Sequence, residues 1–321
     1  MITVLAGGVG AARFLSGLLG VVRADDVTAV VNVGDDTVLH GLHISPDLDT
    51  ITYTLAGAIN PDTGWGLAGE TWQAMAALER YDGLTWFRLG DKDLATHLYR
   101  THRLGEGATL SEVTAEITAA WGLGLHVLPV TDDPVRTHVT ARVDAEDRDL
   151  SFQEYFVQHH HDVPVSEVHI EGAADAVPAD GVISTVEAAE VVVIAPSNPI
   201  VSIGPVLAVP GVREAVTIRR EHVVAVSPII AGSALKGPAD RLLTELGHES
   251  SVVGVARLYR DVAATLVIDE ADRGLADAVE AEGVRCVVAP TIMSGPAEAA
   301  ALAEVVLAAG RAATPDDGAT A

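Results

Sequence analysis

The 321-residue chain has a single cysteine, only two lysines, and no apolar run of the roughly 18–20 residues that a membrane span needs. With Cys286 alone, no intramolecular disulfide is possible, and nothing calls for an oxidising compartment. Its setting, Val284-Arg285-Cys286-Val287-Val288, reads as a buried strand, so the thiol is assigned to packing rather than nucleophilic chemistry. The opening MITVLAGG enters a strand-like run directly, without the basic region of a signal peptide, and a cytoplasmic protein is expected. Lys92 and Lys236 are the two lysines; Lys and Arg total 20 against 45 Asp and Glu, a net charge of −25. Such a balance excludes nonspecific grip on nucleic acid or on an anionic membrane surface.

What is there is a globular composition, 49% hydrophobic and 20% charged, long enough for one large or two smaller domains. Residues 2–6 form a short β-branched run, Gly7-Gly8-Val9-Gly10 follows, and 11–22 carry apolar residues at helical spacing. A second buried-strand run covers 27–33, which completes a right-handed βαβ unit. The alternation returns with strand runs at 191–195, 223–226, 264–268 and 284–289 and helices at 272–282 and 297–309. Continuous apolar strands alternating with amphipathic helices predict an α/β fold, a Rossmann-like, doubly wound, mostly parallel sheet with both faces covered. The middle differs: helices are predicted at 70–80, 93–103 and 110–121, then alternating strands at 137–143 and 165–171. The expected organisation is a core from 1–62 and 180–310, an inserted helical and β subdomain at 63–179, and a flexible tail at 311–321.

Chemistry concentrates in loops that follow strands. Gly7, Gly8 and Gly10 let backbone approach a ligand at a helix N-terminus, either as an anion site or as a plain tight turn. Arg13 stands where a dinucleotide fingerprint wants a small residue, and no P-loop lysine is present. Asn32-Val33-Gly34-Asp35-Asp36 and Ser45-Pro46-Asp47-Leu48-Asp49-Thr50 gather four carboxylates, suited to Mg²⁺ beside substrate phosphates; alternatively Asp47 or Asp49 caps a helix at 48–58. Pro196-Ser197-Asn198-Pro199 to Ser202-Ile203-Gly204 and the 227–238 segment with Lys236 follow two further buried strands. In a parallel sheet all four loops emerge on one edge, which points to a phosphate or nucleotide site. Residues 86–93, with Trp86, Arg88 and Asp91, read as an aromatic ligand wall or a local hinge. His40 and His43 read as hydrogen-bonding residues. His159-His160-His161-Asp162 is not read as a metal site, because adjacent histidines diverge on any regular element.

The segments AGGVGAARFL, VVNVGDD, SPDLDT, GWGLAGETW, GDKDLATHL, APSNPIVSIGPVL and SPIIAGSALKGPAD, in this order from Met1 to about Gly310, resemble the CofD/FbiA family. These are transferases of coenzyme F-420 biosynthesis. The resemblance implies a Rossmann-like core with an insertion, Mg²⁺ dependence and a homodimer. It also implies two small-molecule substrates: the deazaflavin Fo, and a guanosine diphosphate ester of a three-carbon acid. The terminal ribityl hydroxyl of Fo attacks the distal phosphorus and GMP leaves. GGVGAARFL and GDD resemble the actinobacterial branch, in which the acid is phosphoenolpyruvate and the product dehydro coenzyme F-420-0; in the archaeal branch it is 2-phospho-L-lactate. Carried onto this chain, the resemblance makes Asp35 and Asp49 the catalytic metal ligands, with Asp36 and Asp47 beside them. Gly7, Gly8, Gly10, Arg13, Ser197, Asn198, Ser202, Gly204 and Lys236 would bind phosphate and nucleotide. Asp49, Thr50, Trp86, Arg88 and Asp91 would face the deazaflavin. Two other classes are weighed against this: a non-catalytic nucleotide or nucleotide-sugar sensor on the same fold, and an NAD-dependent oxidoreductase, which Arg13 argues against.

Overall fold

The structure, a computed structural model, describes residues 1–312. Of the expected tail, Arg311 ends the last helix and Ala312 follows it; the remainder lies outside the described residues. Strand β1 (Ile2–Ala6) leads to helix α1 (Gly8–Leu18), β2 (Val27–Val31), the hairpin β3 (Thr37–Leu39) and β4 (Leu42–Ile44), and α2 (Pro46–Leu55). Helices α3 (Gln73–Leu78), α4 (Asp93–Gly105) and α5 (Leu110–Ala120) precede β5 (His126–Pro129) and a three-stranded unit, β6 (Arg136–Val143), β7 (Glu146–Ser151) and β8 (Val165–Glu171). Next come α6 (Val182–Ala188), β9 (Val191–Ile194), α7 (Ile203–Ala208), α8 (Val212–Ile218), β10 (Val223–Val226) and a small hairpin of β11 (Ile229–Ile230) and β12 (Ser233–Ala234). The chain ends with α9 (Ala239–Glu245), α10 (Val252–Tyr259), β13 (Thr265–Ile268), α11 (Ala276–Ala281), β14 (Arg285–Val288) and α12 (Pro296–Arg311).

Seven strands form the central sheet in the order β14-β13-β10-β9-β1-β2-β5, and every neighbouring pair is parallel. Strands β1, β2, β9, β10 and β13 are buried at every position, as expected where helices cover both faces. Among the described residues no helix is long and apolar enough to cross a membrane.

Helix α1 buries Phe14, Leu15 and Leu18 and crosses α12 in backbone contact. A Cβ on Gly17 would lie 2.3 Å from the carbonyl carbon of Ala299. Gly17→Ala is therefore expected to force the two helices apart and destabilise the fold by about 1–3 kcal/mol. A urea titration should show a lower midpoint with an unchanged slope; an unshifted midpoint would contradict this packing.

The second sheet, β7-β6-β8, is antiparallel and has one buried face. Val139, Ala141 and Val143 of β6 join Leu150, Tyr155, Val165 and Leu242 in a separate small core. The sheet is tied to the central one where the Thr137 amide donates to the Gly34 carbonyl at 2.7 Å.

Three expectations need correction. His126–Pro129, inside the expected insertion, is the edge strand of the central sheet; its sequence, His-Val-Leu-Pro, lacks the continuous apolar run that marks an interior strand. The helices expected at 70–80 and 272–282 are each part helix and part 3₁₀ turn: Glu79–Tyr81 follows α3, and Glu270–Leu275, with Gly274 inside it, precedes α11. Cys286 is half-buried rather than buried, because β14 is the sheet's other edge. Burial still pushes its thiol up to about 11, which suits a packing role.

Candidate active site

Ligands of open parallel sheets bind at the carboxyl ends of strands, where the crossovers diverge. Here the chain leaves β1 to build β2 and β5 on one side, then returns to place β9 and its successors on the other. The divergence lies between β1 and β9, and the loops that follow these strands meet across it. The Ser197 hydroxyl donates to the Gly7 carbonyl at 2.8 Å. A Cβ on Gly7 would lie 2.8 Å from the Ser202 Cβ and 2.9 Å from Asp47 Oδ2. Gly8 adopts φ of 70°, the left-handed conformation that favours glycine. A Cβ on Gly10 would lie 2.2 Å from the Pro196 carbonyl oxygen, so α1 starts flush against the β9 loop.

The carboxylates of the Asp loops divide into two roles. Asp47 does not cap its own helix; the N-cap of α2 is Ser45 and no side chain caps it. Instead Asp47 accepts from the Gly8 amide at 2.8 Å and from Asn32 Nδ2 at 2.9 Å. Asn32 also accepts from the Gly34 amide at 2.8 Å, so one asparagine sets the β2 loop against α1 and α2. Asp49 is held through both carboxylate oxygens by the guanidinium of Arg100, itself 2% exposed. Asp49 is expected as a first metal ligand, and here its charge is matched by this buried fork.

Asp35 and Asp36 differ. Asp35 is buried, and its Oδ1 has no hydrogen-bond partner; Asp36 is half-buried, and its Oδ1 is likewise unpartnered and out of reach of water. Burial, then the Asp47 charge, raises the Asp35 carboxyl well above the usual carboxylate range. Burial also pushes Asp36 up to about 7, against the Ser45 hydroxyl bond at 2.6 Å and the charges of Arg100 and Arg136. Asp47 is raised to about 6 by burial, opposed by its Asn32 and Gly8 bonds. Unpartnered, desolvated carboxylate oxygens at a strand end fit a hard divalent cation, which takes one or two carboxylates and completes its shell with phosphate and water.

The other expected residues fall into three groups. Asn198 accepts from the Ile200 and Val201 amides at 2.9 and 3.3 Å, and its buried Nδ2 is left as an unpaired donor. Gly204 lies in α7 and Thr50 is buried in α2. Lys236 is exposed, and its Nζ lies 3.0 Å from where a Gly64 Cβ would be; Val9 Cγ1 is 3.8 Å from the same point. This brings the start of α1, the 59–69 loop and the 231–238 loop together. Arg13 is exposed on α1 and has no ion-pair partner among the described residues. Trp86, Arg88 and Asp91 serve the 65–93 segment itself. Trp86 packs edge-on against Phe87, and Arg88 lies 4.2 Å over the Trp72 ring. Asp91 accepts from Thr71 and from the Gln73 and Ala74 amides at 3.0 Å, which caps α3 and holds its carboxyl below the usual range.

Sequence reasoning assigns no role to Asn32, Arg100, His97 or Gln153, whose Nε2 donates to the Asp35 carbonyl at 3.0 Å. A signal for two of them exists. Asp93, His97 and Arg100 recur at i, i+4 and i+7 on α4, the spacing of one helix face, and that face is buried on the Asp49 side.

A family model described as 2-phospho-L-lactate transferase CofD matches residues 2–305. The chain belongs to the CofD family. A phosphoenolpyruvate transferase of Streptomyces griseus is 44% identical over 308 residues, 95% of this chain and 97% of that protein. A phosphoenolpyruvate transferase of Mycolicibacterium smegmatis is 43% identical over 313 residues, covering 94% and 96%. The crystal structure of a UPF0052-family protein from Bacillus halodurans aligns over 95% of this chain and 98% of its own, with a TM-score of 0.61 at 16% identity, a likeness of fold. This CofD-family chain is thus a transferase of coenzyme F-420 biosynthesis.

Proposed function

We propose that the chain moves a phosphoenolpyruvyl group from enolpyruvyl-diphospho-5'-guanosine to the terminal ribityl hydroxyl of Fo, releasing GMP and forming dehydro coenzyme F-420-0. The observation that carries the reading is the pair of desolvated, unpartnered carboxylate oxygens on Asp35 and Asp36, set beside a glycine-started helix at the β1/β9 divergence. The names of the relatives support phosphoenolpyruvate over 2-phospho-L-lactate as the carried acid.

In this reading Asp35 and Asp36 would hold Mg²⁺, which when bound offsets the charge of the diphosphate and helps to align it. The amides of Val9 and Gly10, in the first turn at the positive end of α1, would face the same anion, with the exposed Lys236 at the rim. The unpaired Asn198 Nδ2 offers a donor to the nucleotide. Attack forms a bond between the ribityl oxygen and the distal phosphorus while the bond from that phosphorus to the GMP oxygen breaks in line. The hydroxyl proton passes to a carboxylate of this group. Positioning and electrostatics supply most of the rate, as in other phosphoryl transfers. Assembly as a homodimer belongs to the same reading and rests on the family alone; a cytoplasmic setting rests on the sequence expectation.

The test is direct. Chain, Mg²⁺, Fo and the enolpyruvyl donor are expected to yield equal amounts of GMP and a phosphodiester-extended deazaflavin by chromatography and mass spectrometry. Turnover only with the lactyl donor would reassign the carried acid. Nucleotide binding with no Fo binding, followed by deazaflavin fluorescence, would favour the sensor and overturn the enzyme reading.

A further inference from the structure

The outward face of the β7-β6-β8 sheet carries a cluster that the transfer reaction does not use. His138 on the central strand β6 stands directly opposite His169 on β8. Asp149 on β7 is paired with Thr140, one step along β6 on the same face. Val139 and Leu150, the neighbours of these residues along their strands, point into the small core, so His138, Asp149 and His169 all point to solvent. His138 Nδ1 lies 3.0 Å from one Asp149 oxygen, and His169 Nδ1 lies 3.9 Å from the other. The two imidazoles stack with centroids 5.2 Å apart and planes 23° from parallel. One ligand atom from each of the three residues lies within 4.8 Å of the others, and among the described residues this is the one such grouping. Glu171 adds an oxygen 3.3 Å from His138 Nε2.

We propose that His138, Asp149 and His169 form a second metal site, for a zinc-class divalent ion, that clips the three strands of this sheet together. Two imidazoles and a carboxylate are a borderline donor set, which selects zinc-like ions over Mg²⁺; the carboxylates at the sheet's divergence are the hard set. The backbone already places one ligand on each of three adjacent strands. A tetrahedral zinc site needs these donors to close from within 4.8 Å of one another to the roughly 3.3 Å separation of ligands about 2 Å from the ion. Water takes the fourth position, and Glu171, beside the other ring nitrogen of His138, can accept from its Nε2–H. The neighbouring histidine run does not make such a set: His160 and His161 are in the left-handed region, at φ of 51° and 45°, and the His161 ring packs 5.3 Å from Phe156.

Untagged protein, stripped by chelator and held in excess Mg²⁺ to mask the hard carboxylates, is titrated calorimetrically with zinc chloride. Wild type is expected to bind one zinc equivalent that His169→Gln and Asp149→Asn each weaken at least about tenfold, while His160→Gln leaves it intact. Zinc should raise the melting temperature of wild type but not of the two ligand variants. Turnover of His169→Gln in Mg²⁺ should match wild type, which keeps this result separate from the transferase reading. Identical zinc isotherms for wild type and His169→Gln, or loss of the equivalent in His160→Gln instead, would overturn the proposal.

Discussion

An Asp35→Asn variant is expected to turn over at least about a hundredfold more slowly than wild type, yet to melt at a higher temperature in metal-free buffer at pH 8. The two effects share one cause. Asp35 is 7% exposed, one of its oxygens has no partner, and burial followed by the charges of Asp47 and Asp36 raises its carboxyl. A raised carboxyl means that the folded chain holds its proton more tightly than the unfolded chain does. Above the ordinary value of 3.8 the native state therefore binds more protons, and its stability falls as pH rises. Asp47, raised to about 6, and Asp36, raised to about 7, act in the same direction. The metal-free enzyme should thus be more stable at pH 5 than at pH 8 as far as this cluster is concerned. An asparagine removes one of the crowded charges and with it the penalty, but also the oxygen that a cation or a developing charge needs. Mg²⁺ should stabilise wild type strongly at pH 8, weakly at pH 5, and Asp35→Asn hardly at all. Scanning fluorimetry and initial rates of GMP release check both halves. A variant that is active, or one that is less stable at pH 8, would remove Asp35 from the assigned role.

Why some of this was legible in the sequence and some was not comes down to separation along the chain. Val191–Ile194 and Val223–Val226 announce interior strands because every residue is apolar and most are β-branched, and parallel pairing then places their loops on one edge. The crevice follows from that pairing, with Asp47 and Ser202 both set close against Gly7. What spacing does not reveal is which loop residue answers which. Asp47 and Asp49 are two residues apart on one helix, yet one bonds the start of α1 and the other an arginine 51 residues onward. His138, Asp149 and His169 are scattered over the antiparallel sheet, and strand register alone brings them together. The contiguous run at 159–161, conspicuous in the sequence, is pulled apart by its own backbone. Edge strands hide for a related reason: half-exposed, as β14 is, they need not be apolar throughout.

Arg100→Met is expected to destabilise the chain by about 3–5 kcal/mol, because it strands the Asp49 carboxylate in the interior without its partner. Against a total stability of about 5–15 kcal/mol that is a large fraction, a fall in melting temperature on the order of 10 °C. The arginine is deeply placed: besides the fork on Asp49, it lies 3.4 Å from the His43 carbonyl and 3.4 Å from His97 Nδ1. His97 in turn sits 3.7 Å from Asp49 and 3.2 Å from Asp93, which accepts from the Tyr53 hydroxyl at 2.6 Å. The network fastens α4, from the middle of the chain, to α2 at the edge of the crevice. Replacing both partners tells desolvation apart from attachment. If the penalty is the buried unpaired charge, Arg100→Met combined with Asp49→Leu should regain most of the lost stability, since apolar groups fill the space without a stranded ion. If the guanidinium matters chiefly through His43 and His97, the double variant should remain as unstable as Arg100→Met alone. Activity then decides what Asp49 does beyond pairing. A double variant that melts like wild type but fails to release GMP would assign Asp49 to substrate contact, and one that is stable and active would leave it a purely structural ion.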